Sequence, residues 1–180
     1  MTAYVALLRG INVGGKNPIG MQDLAECFRA AGYEEVRTHL QSGNVLFSSS
    51  RRSGSDVEET IERMLRQRFD IPIPAIVRSR DELDATVASA PADHGSAELR
   101  SDVFFLKHPL TADVVMAQMP DLRAGVDAIV PGPGALYFSR VAAQAGKTRI
   151  TRLMAMPVFQ QMTVRTWRTT TRLLGVLHES

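Results

Sequence analysis

The chain has 180 residues, 44% of them hydrophobic and 22% charged, with one cysteine and a net charge of +2. Such a length and balance predict one ordinary domain or two small ones sharing a core, and they exclude disorder, collagen and disulfide-stapled scaffolds. The lone Cys27, and a start (MTAYVALLRGINVGG) without a signal-peptide pattern, read as a cytoplasmic protein; no apolar run reaches the ~18 residues of a membrane span.

Residues 3–9, AYVALLR, read as an apolar strand, and GINVGGKNPIG as a long loop. Met21, Leu24, Phe28 and Ala31 recur at helical spacing, with Gly32 as the expected C-terminal cap. Strands are expected over residues 36–40 and 45–48, joined by the turn QSGN. A helix is placed after Ser55, whose spacing to Glu58 predicts a capping box. Val57, Ile61, Met64, Leu65 and Phe69 form its buried stripe, and Glu58, Glu59 and Glu62 are assigned to its exposed side. A strand over residues 73–77 follows, then a helix capped by Ser79 and Glu82 that runs to about residue 89.

Residues 90–101 are read as a linker, after which the pattern repeats. A strand over 103–107, a helix over 111–119 and strands over 126–130 and 136–141 joined by PGPG are expected. A short helix over 150–156, a strand over 162–165 and a terminal helix over 167–177 complete the chain. The fold class is therefore α+β: two ferredoxin-like βαββαβ halves with antiparallel sheets, residues 1–89 and 102–180, each followed by an extra helix. The halves share no residue-by-residue likeness, so the repeat is one of pattern.

Charge is unevenly distributed. Residues 1–139 hold 14 Lys/Arg against 18 Asp/Glu, a net of −4, while residues 140–180 hold seven cations against Glu179 alone, a net of +6. A basic end points to an acidic partner: nucleic acid, a phosphorylated small molecule, or the acidic first part of the same chain.

Three segments are candidates for such a partner. Residues 10–16 fit G-x-x-x-x-G-K, but Asn17 stands where Ser or Thr would hold magnesium, and Pro18 and Gly20 delay the helix. The loop is read as a glycine turn whose amides, with Asn12 and Lys16, offer a place to an anion. Gln41-Ser42-Gly43-Asn44 is foremost a turn, with Gln41, Ser42 and Asn44 adding polar groups; Arg9 and Gln41 are expected near the same sheet edge. Gly146-Lys147-Thr148-Arg149 lacks the first glycine of a phosphate loop, since position 141 is Val. Together with Arg165 and a helix start at Thr166, it supplies cations and hydroxyls, with Trp167 assigned to packing.

Other chemistries lack their residues. An RNA-recognition module needs several stacking aromatics, and the third strand carries only Phe47. His39, His94, His108 and His178 are scattered, so neither a metal site nor a cofactor is indicated. Cys27 reads as a core residue, and Ser42 lacks a nucleophile elbow.

The strings YVALLRGINVGGKN, VRTHLQSGNVLFSS and GKTRIT…VRTWRT resemble a bacterial family, domain of unknown function sixteen-ninety-seven, over essentially the whole chain. The family's usual Arg-Asn-Trp-Asn-Thr string is Arg165-Thr166-Trp167-Arg168-Thr169 here, so both asparagines are absent. The resemblance implies a two-part α+β fold and supplies no activity. From the residues, the leading expectation is an anion-binding protein for a nucleotide, a phosphorylated metabolite or a nucleic-acid backbone. Arg9, Asn12, Lys16, Gln41 and Asn44 are expected to meet Lys147, Arg149 and Arg165 in its site. The alternatives are an enzyme that orients its substrate with Arg9, Asn12, Gln41 and Asn44, for which no base is identified, and an interaction protein that neutralises its charge asymmetry internally. No membrane partner is expected.

Overall fold

Strand β1 (Thr2–Leu8) opens a computed structural model that describes residues 1–180. It is followed by α1 (Met21–Ala30), β2 (Glu34–His39), β3 (Asn44–Ser49), α2 (Ser55–Phe69), β4 (Ala75–Ser79) and α3 (Arg80–Ala88). The first sheet has the order β2-β3-β1-β4 with antiparallel neighbours, which is the ferredoxin-like arrangement. Alternation along β1 sends Tyr4, Ala6 and Leu8 to the helices, where Leu24, Phe28, Ile61 and Leu65 meet them. Phe47 is the hub of this core: its ring lies 5.5 Å from Tyr4, 5.5 Å from Phe28 and 4.8 Å from Tyr33. The opposite face is buried as well, at Val5, Leu7, Leu46 and Ile76. A sheet closed on both faces has no open platform for stacked bases.

Helix α2 departs from its sequence reading in an instructive way. The expected capping box is absent, because the N-cap is Gly54 and makes no side-chain bond. Glu58 is not on an exposed face; it is fully buried, and its carboxylate accepts from Val77 N at 2.9 Å. One turn on, half-buried Glu62 accepts from Ala75 N at 3.0 Å, and Glu82 of α3 accepts from Ser79 N at 2.7 Å. Alternate amides of edge strand β4 are thus sealed by three carboxylates, which removes an unpaired ladder that would otherwise invite another strand. Glu58 also lies 3.6 Å from the guanidinium of buried Arg78. The second expected box is present: Glu82 N donates to Ser79 Oγ while Ser79 N donates to Glu82.

The second half contains β5 (Leu99–Leu106), α4 (Ala112–Met116), β6 (Asp127–Gly132) and β7 (Ala135–Val141). After it come a 3₁₀ segment (Ala142–Lys147), α5 (Thr151–Met154), a second 3₁₀ segment (Pro157–Gln161), β8 (Met162–Thr166) and α6 (Trp167–His178). The order β6-β7-β5-β8 reproduces the first sheet. Phe104, Leu106, Leu136, Phe138, Leu153 and Met162 build its core. Edge strand β6 is blunted differently, by Pro131, which has no amide to offer.

The repeat goes deeper than pattern. Leu8 N donates to Gly43 O and Leu106 N to Gly134 O; Arg9 N donates to Pro74 O and Lys107 N to Gln161 O. Val77-Arg78-Ser79 and Val164-Arg165-Thr166 hold one register, opposite Val5 and Val103. Each arginine donates to the carbonyl before it, at 2.8 and 2.9 Å, and each hydroxyl caps the helix that follows. The matching positions are few and scattered, so the correspondence shows in the hydrogen bonds and register rather than in a run of like residues.

Two compact units emerge: Met1–Leu83 with Leu173–Ser180, and Asp84–Arg172. Residues 173–180 group with the first through Arg37, whose guanidinium donates to Val176 O and Ser180 Oγ. Strand β5 begins at Leu99, inside the stretch read as a linker.

Candidate functional site

The loop after β1 is a closed hairpin rather than a phosphate cradle. Lys16 N donates to Val13 O at 3.0 Å, and Gly14 and Gly15 between them have φ of +58° and +74°, as in a type I′ turn. Helix α1 begins only at Met21, so no helix dipole stands behind Lys16. Asn12 braces the hairpin. Its Oδ1 accepts from Ile19 N at 2.7 Å, and its Nδ2 donates to Ile19 O at 3.0 Å and to Gln41 O at 2.9 Å. Asn17 Nδ2 donates to Gly10 O at 2.9 Å, and Asn12 N to Asn17 O at 3.1 Å. Both asparagines have positive φ, which their short amides tolerate.

The same bonds draw the QSGN turn onto the hairpin. Gly43 is where the two segments approach most closely: at φ +91°, a Cβ there would lie 2.7 Å from Ile11 Cδ1 and 2.9 Å from Leu8 Cβ. Asn44 is fully buried and donates to His39 O at 2.7 Å. Leu40 is 53% exposed at φ +61°, a conformation that costs a residue with a Cβ about 1–2 kcal/mol. Val13, at the hairpin tip, is 60% exposed. Arg9, Asn12, Lys16, Gln41 and Asn44 therefore gather at one end of the first sheet. Asn12 spends its amide on main chain and Asn44 on His39 O and Ser42 Oγ, Lys16 and Gln41 are exposed, and burial lowers the pKa of half-buried Arg9.

Lys147, Arg149 and Arg165 belong to the second unit. There the Gly-Lys-Thr-Arg segment folds around a carboxylate from its own chain. Asp127 accepts from Arg123 N at 2.9 Å, Arg149 N at 2.8 Å and Thr148 Oγ1 at 2.5 Å. Burial alone would raise its pKa, but these three bonds and the charge of Arg140 hold it below the usual carboxylate range. Nothing in the sequence around Asp127 signals this role. Arg165 is buried, donates to Thr163 Oγ1 at 2.9 Å, and has its pKa pushed down to about 10 by desolvation. Thr166 caps α6 as expected, through Thr169 N. Half-buried Trp167 packs against His94, with ring centroids 4.9 Å apart.

His94 has one unpartnered atom. Its ring donates to the carbonyl of Asp102, its Nε2 is buried without a partner, and burial lowers its pKa. Cys27 is buried and its thiol pKa is raised by desolvation, which suits a core residue. No three His, Cys, Asp or Glu side chains are grouped to hold a metal ion, and no helix is long and apolar enough to cross a membrane.

A solved structure of a conserved bacterial protein, SP0830 from Streptococcus pneumoniae, is similar to this chain at 26% identity, with a TM-score of 0.86 over 98% of each chain. No curated protein matches the sequence. The model of the family described as Protein of unknown function (DUF1697) matches residues 1–137, which includes both strings that meet at the Asn12 brace, and the chain belongs to that family.

Proposed function

We propose that the protein binds a phosphate-bearing small molecule, a nucleotide or a phosphorylated metabolite, at the loop end of the first sheet. The observation that carries this reading is the Asn12 brace, which joins the hairpin to the QSGN turn with three hydrogen bonds. A loop pair already held in one shape loses little conformational entropy when a ligand arrives. Lys16 and Arg9 supply positive charge and Gln41 an amide, while exposed Val13 and Leu40 offer apolar contact to the rest of the ligand. Lys147, Arg149 and Arg165 are left out of this site. The amide and hydroxyl of their segment already hold Asp127, and Arg165 is buried. A single buried cysteine is in keeping with a reducing, cytoplasmic setting.

The test is calorimetry and thermal shift at low salt with inorganic phosphate, AMP, ATP and a sugar phosphate. At least one probe should raise the Tm of the wild type, and Lys16→Ala should weaken it by about tenfold or more. Melting temperatures that none of the probes moves, or equal binding by Lys16→Ala, would overturn the reading.

A further inference from the structure

We infer that the second unit carries a separate surface for the phosphate backbone of a nucleic-acid duplex, formed by Arg123, Lys147, Arg149 and Arg152. This goes beyond the ligand proposed above and uses none of its residues. Two hydrogen bonds stitch the segments together: Arg123 Nε donates to Lys147 O at 3.2 Å, and Arg152 Nη1 donates to Asp121 O at 2.9 Å. The segment 121–127 is thereby laid beside 147–152, which brings the guanidinium of Arg123 against the segment of Lys147 and Arg149, and that of Arg152 against the segment of Arg123. Arg123, Lys147 and Arg152 are exposed and Arg149 is half-buried. Arg140 lies across the β6–β7 ladder from Asp127, and its charge acts on that carboxylate and on Asp102 rather than on the face.

Two carboxylates stand among the four cations, Asp121 and Asp127. The Asp127 oxygens accept two amides and a hydroxyl and the carboxylate keeps its charge; the face is positive because four cations outnumber two carboxylates. Each of Arg123 and Arg152 commits one N–H to a carbonyl. That fixes the guanidinium plane while leaving donors for a phosphate.

The chemistry of the face selects the partner. The two segments, DLRAGVD and KTRITR, hold no aromatic residue, so there is nothing on which an unpaired base could stack. Exposed arginines and lysines make most of their nucleic-acid contacts to phosphates, and those contacts carry no sequence information. A duplex, with its dense and regular charge, is the ligand that fits.

Binding of a random-sequence DNA duplex and of a single strand of equal length, measured by fluorescence anisotropy across a salt series, tests this. Each phosphate neutralised contributes about −0.9 to the slope of log K against log salt, so four cations predict a slope of roughly −3 to −4. Arg123→Ala/Arg152→Ala should flatten the slope by about two, and Lys147→Ala by about one. Lys147→Ala decides the matter if the double variant melts early, since the Lys147 side chain is exposed and only its carbonyl is bonded. Lys16→Ala should leave the slope unchanged, which separates this surface from the site on the first sheet. A wild-type slope shallower than about −1, variants that keep the wild-type slope, or equal retention on anionic lipid vesicles would overturn the proposal.

Discussion

Asn12 is the position where the candidate site is most open to test. Glycine there removes three hydrogen bonds and leaves the N–H and C=O of Ile19, a buried residue, without their partner. At about 1 kcal/mol net for each bond, with Asn12 half-buried, the expected cost is about 2–3 kcal/mol. Alanine loses the same bonds and must also hold φ near +53°, which adds about 1 kcal/mol over glycine. Aspartate keeps the acceptor for Ile19 N but sets a carboxylate oxygen against the carbonyls of Ile19 and Gln41, so its cost should be no smaller than that of glycine. Urea denaturation measures the global loss. Hydrogen exchange at the Ile19 and Leu8 amides measures local opening, because a loop can open without unfolding its domain. Alanine should do more damage than glycine. Equal losses for Gly and Ala would refute the left-handed conformation, and losses below about 0.5 kcal/mol in all three would refute the brace itself.

Three further outcomes follow from the same structure. Glu58→Ala removes the carboxylate beside buried Arg78 and leaves the buried Val77 amide without its acceptor, so it should cost about 3–5 kcal/mol in urea melts, with Glu58→Gln markedly milder. Gly95→Ala would set a Cβ 2.3 Å from Trp167 Cδ1 at φ +86°; a loss of about 2–4 kcal/mol and a changed emission of the protein's one tryptophan are expected. His94 titrates in the opposite sense to a paired histidine. Burial lowers its pKa in the fold, although the Asp102 carbonyl and the charge of Asp93 oppose this. The unfolded chain therefore takes up a proton near pH 6.5 that the folded chain refuses, so stability is full above that pH and falls as the pH drops below it. His94→Gln should flatten the difference in urea midpoint between about pH 7.5 and 5.5, and an unchanged difference would remove His94 as its source.

Much of the architecture is legible in the sequence. The apolar run AYVALL, the helical spacing of Leu24 and Phe28, the Ser79–Glu82 box and the turns QSGN and PGPG are local signals, and each stands close to its expected place. Glu58 and Glu62 were misread because a helical wheel cannot tell a solvated face from one that meets an edge strand. Their spacing of four residues, matching alternate amides of β4, was the available clue. At the site, the strings around Asn12 and Gln41 were visible as unusual, but the bond between them joins residues 29 apart. Asp127 gave no local sign at all, since its three donors come from segments on either side of it in the fold.

The order of strands and helices, the duplicated ferredoxin-like plan and the accumulation of positive charge toward the end of the chain are properties of the sequence alone, because periodicity, capping and charge act over a few residues. Tertiary structure decided which polar groups remain for a ligand. It closed the glycine loop into a braced hairpin, spent Glu58, Glu62 and Glu82 on the β4 edge, and filled the Gly-Lys-Thr turn with Asp127. Those outcomes depend on pairing between groups distant in sequence, where a buried donor must find an acceptor, and only the folded chain determines which one it finds.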